Sequence, residues 1–381
     1  MKRTQTPVRK ILIVGGYGNF GKRIAESLSA LRGITIFIGG RDITKALELC
    51  EVLAVTGAHA QFEALKIDID SQEFSDDLRT LCPDLVIHTG GPFQGQDYRV
   101  PKACIAIGSH YIDLADDRRF VCDIASLNEL AQASDTLIVS GASSVPGLSS
   151  TVIDHFKDQF SKLDQIDFAI APGNQAERGE ATVRGILSYT GHPFTALSNG
   201  NWREVYGWMS SRQMDFGPVI GKRWLANVDI PDLELFPERY LVNTVRFQAG
   251  LELFFLHGAM VLMAWLAKVG LVRDWSIFAS QIYKLSDVFK GLGTDIGGMQ
   301  VHLIGLDQDN KPMQIKWLLT AANGVGPYIP TLSAIILAKK LIKAGAPVVG
   351  AMPCLGMYQL AEFDAEATTL GIYHQTEISY G

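Results

Sequence analysis

The 381-residue chain is 47% apolar before its 37 glycines are counted and only 19% charged, a composition that buries a large core and excludes disorder. Its 40 acidic and 34 basic residues leave a net charge of −6, so no basic field exists to hold a nucleic acid backbone. Five scattered cysteines (Cys50, Cys82, Cys104, Cys122, Cys354) form no C-x-x-C pair and no zinc-ligand spacing, so the expectation is no metal and reduced thiols in a cytoplasmic protein.

The basic start MKRTQTPVRK precedes an apolar run, Ile11 to Val14, far shorter than the ~7–15 residues of a signal-peptide core, and export is not expected. VRKILIVG is a near-continuous β-branched run ending in glycine, as a strand buried on both faces requires. Phe20, Ile24, Leu28 and Leu31 then recur at helical spacing, and Gly33 stops the helix. ITIFIGG is a second strand, Ile43 to Val55 a second helix and FEALKID a third strand. DLVIHTG, HYIDLAD and TLIVSG follow as strands four to six, with helices near Ser71 to Leu81, Pro101 to Ile107 and Arg118 to Ala133. This alternation predicts an α/β fold, a Rossmann-type doubly wound parallel sheet over residues 1–150.

After the small-residue loop Ser140 to Ser150 the rhythm breaks. QIDFAIAPG reads as a strand, Leu251 to Leu271 as a long helix, and residues 297–323 as a hairpin turning at Asp307 to Asn310, which makes 151–330 an α+β, mixed-sheet substrate and dimerisation domain. A late helix follows Pro330, and residues 331–381 are expected to pack back on the first domain. Leu251 to Val272 approaches the ~20 residues that cross a bilayer, but Glu252, His257 and Lys268 would be expensive there. It reads first as a buried or dimer-interface helix and second as a membrane-surface helix.

The strongest chemical signal is GGYGNFGKR, residues 15–23. Gly16, Gly18 and Gly21 satisfy G-x-G-x-x-G between a buried strand and an amphipathic helix, with Tyr17, Asn19 and Phe20 interleaved. The glycines allow a tight turn, close approach to a pyrophosphate and close helix–strand contact, and the helix N-terminus supplies free N–H groups. About 20 residues on, the second strand ends in Gly39-Gly40-Arg41, with no carboxylate for a ribose 2′-OH. Arg41 can instead fork onto a 2′-phosphate, which favours NADP over NAD; Asp42 is the competing ribose ligand. Asp68 lies where a loop could flank the adenine or simply cap a turn. HTGGPF follows the fourth strand at the carboxyl edge of the sheet: Gly90 and Gly91 permit close backbone approach, and Pro92 and Phe93 could wall the nicotinamide. Tyr98 and Lys102 match Y-x-x-x-K, but Pro101 between them argues against a catalytic dyad in one helix.

GGYGNFGKR, GGR, HTGGPFQG, ACIAIGSHYIDLADD and SSVPGLSS together resemble the NADP-binding domain of the saccharopine dehydrogenase-like oxidoreductases. APGNQAERGEAT, AGLEL, GTDIGGM and GPYIP are similar, more weakly, to uncharacterised bacterial members of that family. The resemblance implies an NADP-dependent oxidoreductase with a Rossmann domain and a mixed-sheet domain, acting on a C=N, C=O or C=C bond of an amino-acid-like or lipid-like small molecule. Substrate identity does not carry over. A proton donor or orienting cation is still required, and the candidates are Asp113, Asn174 and Arg178, with His88, His110 and His257 behind them. Arg178 would clamp a carboxylate beside Asn174, or the two would merely brace their loop; Asp113 is a catalytic acid or a cap; His257 fits a core histidine. The other classes kept open are a non-catalytic NADP-binding regulator and a membrane-surface accessory protein. A homodimer is expected.

Overall fold

The structure, a computed structural model, describes residues 7–381. In chain order its strands are β1 (Lys10–Val14), β2 (Thr35–Gly40), β3 (Gln61–Lys66), β4 (Leu85–His88), β5 (His110–Asp113), β6 (Leu137–Ser140), β7 (Phe160–Ala171), β8 (Pro193–Ser198), β9 (Asn201–Tyr206), β10 (Arg212–Asp215), β11 (Lys222–Asn227), β12 (Thr244–Ala249), β13 (Gly297–Asp307), β14 (Pro312–Ala321), β15 (Gly350–Pro353) and β16 (Tyr373–Tyr380). Helices α1 (Asn19–Leu28) and α2 (Ile43–Val55) follow β1 and β2. The chain divides into two units, residues 1–148 with 328–358, and residues 149–327 with 359–381.

In the first unit seven parallel strands run in the order β15-β6-β5-β4-β1-β2-β3. Order reverses between β1 and β4, the crevice at which such sheets receive nucleotides. The Rossmann-type sheet expected from the alternating pattern is therefore present. Ile11, Leu12 and Ile13 are fully buried because helices cover both faces, and this is why β1 shows no polar alternation. The seventh strand, GAMP at 350–353, carries no readable period, since four residues with a glycine and a proline form a strand only where β6 offers a ladder.

The C-terminal segment does not return as one block of helices. The helix Ile329–Ala344, buried nearly all round, and β15 rejoin the first unit, whereas the helix Leu360–Thr369 and β16 belong to the second. β16 is an edge strand, pairing antiparallel with β14 from Tyr373↔Thr320 to Tyr380↔Met313.

The second unit is built on a mixed sheet in the order β10-β11-β12-β7-β13-β14-β16, parallel only where β7 meets β12. The hairpin expected over 297–323 is β13 and β14, closed by Asp307, whose Oδ1 accepts from Asp309 N and Lys311 N at 2.9 and 2.8 Å. One sheet face buries Phe168, Phe247, Val301, Leu303, Ile315 and Trp317, with Phe236 from the helix Asp232–Tyr240 against Phe168. The opposite face carries Asp167, Arg246, Gln248, Gln300 and His302, as period-two alternation requires.

The long apolar segment forms the helix Phe254–Lys268, shorter than expected and only half buried. His257, Met260, Ala264 and Ala267 face inward, while Phe254, Leu262 and Trp265 are 74%, 60% and 51% exposed, so an all-round buried helix is not what forms. No helix among the described residues is long and apolar enough to cross a membrane.

Candidate functional site

The carboxyl edge of the parallel sheet collects the glycine loop, the β2 turn and the HTGGPF loop. Gly15 turns the chain out of β1 at φ +76°, and a Cβ there would sit 2.9 Å from Thr89 Oγ1 and 3.1 Å from Gly90 N. Sequence reasoning assigned the first glycine task to Gly16 and overlooked Gly15, although the doubled glycine is visible in the motif. Gly16 abuts Ile13 O and Ile38, and Gly21 packs so tightly that a Cβ would lie 2.3 Å from Gly15 O and 2.7 Å from Gly16 Cα. Gly18 is the N-cap of α1 without any side-chain cap, so the first-turn N–H groups keep their capacity for an anion. Arg23 Nη1 donates to Asn19 Oδ1 at 2.5 Å, and Phe20 lies half-buried in the same first turn.

Tyr17 joins this loop to the next. Its hydroxyl accepts from Asp42 N at 3.0 Å, and its ring covers Gly40, where a Cβ would meet Cε1 at 2.3 Å. Asp42 spends Oδ1 on Thr44 N and Lys45 N as the N-cap of α2, which accounts for it without a ribose. Arg41 between them is exposed and makes no side-chain hydrogen bond or ion pair among the described residues. Asp68 accepts from Asp70 N at 3.1 Å, the turn-capping alternative.

Thr89 fixes the HTGGPF loop by donating its hydroxyl to Val14 O at 2.9 Å and Gly15 O at 3.1 Å. Gln96 Nε2 closes the loop from the other side, donating to Gly90 O at 2.9 Å and Pro92 O at 2.7 Å. Phe93 is buried with its ring 5.0 Å from His88 and 5.2 Å from Phe120, so it supports the loop from beneath rather than standing as an open wall. Tyr98 donates to Phe120 O at 2.8 Å and precedes the helix Arg99–Ile107, an ordinary loop-to-helix junction.

Beneath that loop lies a buried polar group. His88 Nδ1 and the Tyr111 hydroxyl are 3.1 Å apart, and Asp113, opposite His88 in the ladder, takes Ala115 N, Ser140 Oγ and Gly141 N on Oδ1 at 2.8–3.0 Å. Burial pulls His88 down to about 4, so it is a neutral imidazole at pH 7 and no store of protons. Burial lifts Asp113 to about 6 against the pull of those donors. His110 stands at the opposite, amino end of β5, where its Nδ1 accepts from Leu137 N at 3.1 Å, far along the strand from the glycine loop.

These two shifts act in one pH window with opposite signs. A histidine whose folded value is depressed costs stability as pH falls from its ordinary 6.5 toward 4, whereas a carboxyl whose folded value is raised adds stability as pH falls from about 6 toward its ordinary 3.8. In the native chain they offset. Asp113→Asn retains the acceptor for all three donors but removes the acid-side gain. Its stability relative to the native chain is therefore expected to drop by about 2 kcal/mol between pH 7 and pH 4.5. Urea unfolding at both values measures this, and an unchanged difference between the two proteins refutes the raised Asp113.

The remaining candidates belong to the second unit. Asn174 is buried, its Nδ2 donating to Phe289 O and Leu292 O at 2.7 and 2.9 Å, and Arg178 Nη2 reaches Ser286 Oγ at 3.1 Å. Both contacts are those of the loop-bracing alternative, to the helix Ala279–Asp287 and the turn after it. The hub of this region is Glu252, which accepts from Asn174 N and Thr294 N at 2.8 Å each, from Thr294 Oγ1 at 2.9 Å and from Arg223 Nη2 at 3.4 Å. Three separate motifs, APGN, AGLEL and GTDIGG, thus meet on one carboxylate that sequence reasoning did not select. A lone acid inside an apolar run was its signal. His257, with Nε2 3.0 Å from Ser211 Oγ and its ring 5.8 Å from that of Trp208, is a core histidine lowered by burial.

Residues 11–139 match the model of the saccharopine dehydrogenase NADP binding domain. The fold of the chain is similar to that of apo saccharopine dehydrogenase (L-Glu forming) from Saccharomyces cerevisiae, with TM-score 0.68 and 12% identity over 97% of this chain and 100% of that one. An amine dehydrogenase from Mycobacterium smegmatis aligns with TM-score 0.47 and 9% identity over 92% of this chain and 96% of that one. No match was found among the curated proteins.

Proposed function

We propose that the chain, whose residues 11–139 match the saccharopine dehydrogenase NADP binding domain, is an NADP-dependent oxidoreductase that reduces a C=N, C=O or C=C bond of a small molecule. The supporting observation is the β1–α1 bend, where Gly15, Gly16 and Gly21 leave no room for a single Cβ and no side chain caps the helix. A phosphate-bearing cofactor fits such a cradle through backbone amides and the positive helix end.

NADPH, when bound, supplies the hydride from nicotinamide C4. The chain's part is to hold and orient. Gly18 and the first turn of α1 would bind the pyrophosphate, Arg41 the 2′-phosphate, and the Gly90-Gly91 backbone would pass close to the ribose and nicotinamide. Thr89 and Gln96 keep that backbone in place by the four hydrogen bonds described. His88, neutral and buried, sets the floor of the loop and delivers no proton at pH 7.

Calorimetry of the purified chain with NADPH and NADP tests the cofactor, and nicotinamide absorbance during incubation with a panel of imines, keto acids and enones tests the chemistry. Turnover of any member supports the reductase. Binding without turnover on any of them points to an NADP-responsive regulator, the reading favoured by the commitment of Asn174 and Arg178 to their own loop. No heat with either form overturns both.

A further inference from the structure

We propose that the second unit holds a binding site for a small organic anion, a carboxylate or phosphate head on an apolar body. β11 pairs with β12 only at Ala226↔Ala249 and Asn227↔Gln248, so β12 from Thr244 to Phe247 has no strand on that side. A cavity of about 380 Å³ opens there against the β8–β9 hairpin, within the ~300–1,000 Å³ of small-molecule sites.

Its lining is lopsided in charge. Arg203, Arg212 and Arg246 face the cavity and no carboxylate does. Asp167 is buried behind them and meets Arg212 Nη2 at 2.5 Å and Arg246 Nη1 at 3.5 Å. Three guanidiniums and no carboxylate on the lining itself give this concave wall a positive field, a repulsion that an anion relieves. Arg203 has no hydrogen bond or ion pair among the described residues and is free to close on a head group.

Arg212 is also held in place in advance. Its Nε donates to Gln248 Oε1, and Gln248 Nε2 in turn donates to Ser210 O at 3.1 Å and to Asn227 Oδ1 at 3.0 Å. Asp167, Gln248 and Asn227 are 4%, 2% and 9% exposed, so the guanidinium is fixed by a buried network rather than floating in solvent. A fixed planar fork is the form in which arginine recognises carboxylate or phosphate through paired hydrogen bonds. Phe194 and Val205 supply an apolar wall for the rest of the ligand.

All of these residues belong to the second unit, so binding measured without any nicotinamide cofactor stands apart from the NADP site. The experiment is isothermal calorimetry of the full chain with hexanoate, hexyl phosphate and the neutral analogue hexanamide. At least one anion is expected to bind about tenfold tighter than hexanamide, and the better of the two identifies the head group. Arg203→Ala, which removes no ion pair, and Arg246→Ala, which leaves Asp167 its bond to Arg212, should each weaken that anion about fivefold or more without lowering Tm. Hexanamide binding as tightly as both anions overturns the proposal, and so does native affinity for the anions in both variants.

Discussion

Replacing Arg41 by alanine is expected to raise the Kd for NADPH roughly 30- to 150-fold while changing that for NADH less than threefold, because only the 2′-phosphate loses its partner. The charge-assisted contact at stake is of the order of 2–3 kcal/mol. Arg41 is exposed and without a protein partner among the described residues, so the variant should fold as the native chain does. Arg41→Lys should recover part of the affinity, since an ammonium matches the charge but not the planar fork. Titration of cofactor fluorescence with both nucleotides decides the matter. Equal losses for NADPH and NADH would mean that Arg41 touches no 2′-phosphate.

The second large effect is steric. Gly21→Ala places a Cβ 2.3 Å from Gly15 O and 2.7 Å from Gly16 Cα, atoms that belong to backbone and cannot swing aside. α1 must move off β1, with an overpacking cost of about 1–3 kcal/mol and the loss of the amide cradle. Binding of NADPH is expected to fall at least about a hundredfold, with Tm lowered as well. Gly258→Ala is the control, because that glycine lies in the helix Phe254–Lys268 with nothing within 4 Å of its would-be Cβ. It should raise stability by about 0.5–1 kcal/mol, as alanine replaces glycine in a helix interior. A Gly21→Ala protein that keeps native affinity would show that the bend is not the phosphate cradle.

Elsewhere the limits of sequence reading follow from what a local pattern can encode. β1 and the glycine loop were legible because the strand, the bend and the helix are contiguous, and the atoms that crowd Gly18 and Gly21 belong to Gly15 and Gly16 of the same loop. Gly40, by contrast, reads as part of a cofactor turn, yet the contact that requires its missing side chain is the Tyr17 ring from another loop. Phe93 offered an aromatic at the right loop, but whether a ring faces out or in depends on His88 and Phe120, which no spacing records. Glu252 escaped notice for the same reason: its importance lies in donors more than forty residues away along the chain on either flank.

By itself the sequence determined the parallel sheet, the glycine-rich bend after its first strand, the arginine at the end of the second strand and the long hairpin, all of which rest on periodicity and turn chemistry carried by neighbouring residues. Only the tertiary structure decided that GAMP is a strand, that the last 54 residues divide between two units, and that Asn174 and Arg178 brace a loop while Arg203, Arg212 and Arg246 gather at a cavity. Those outcomes depend on which distant backbone offers a hydrogen bond and on which charges a fold brings within reach of one another. Both are properties of contacts across the chain, and a linear pattern holds no distance between residues that are far apart in it.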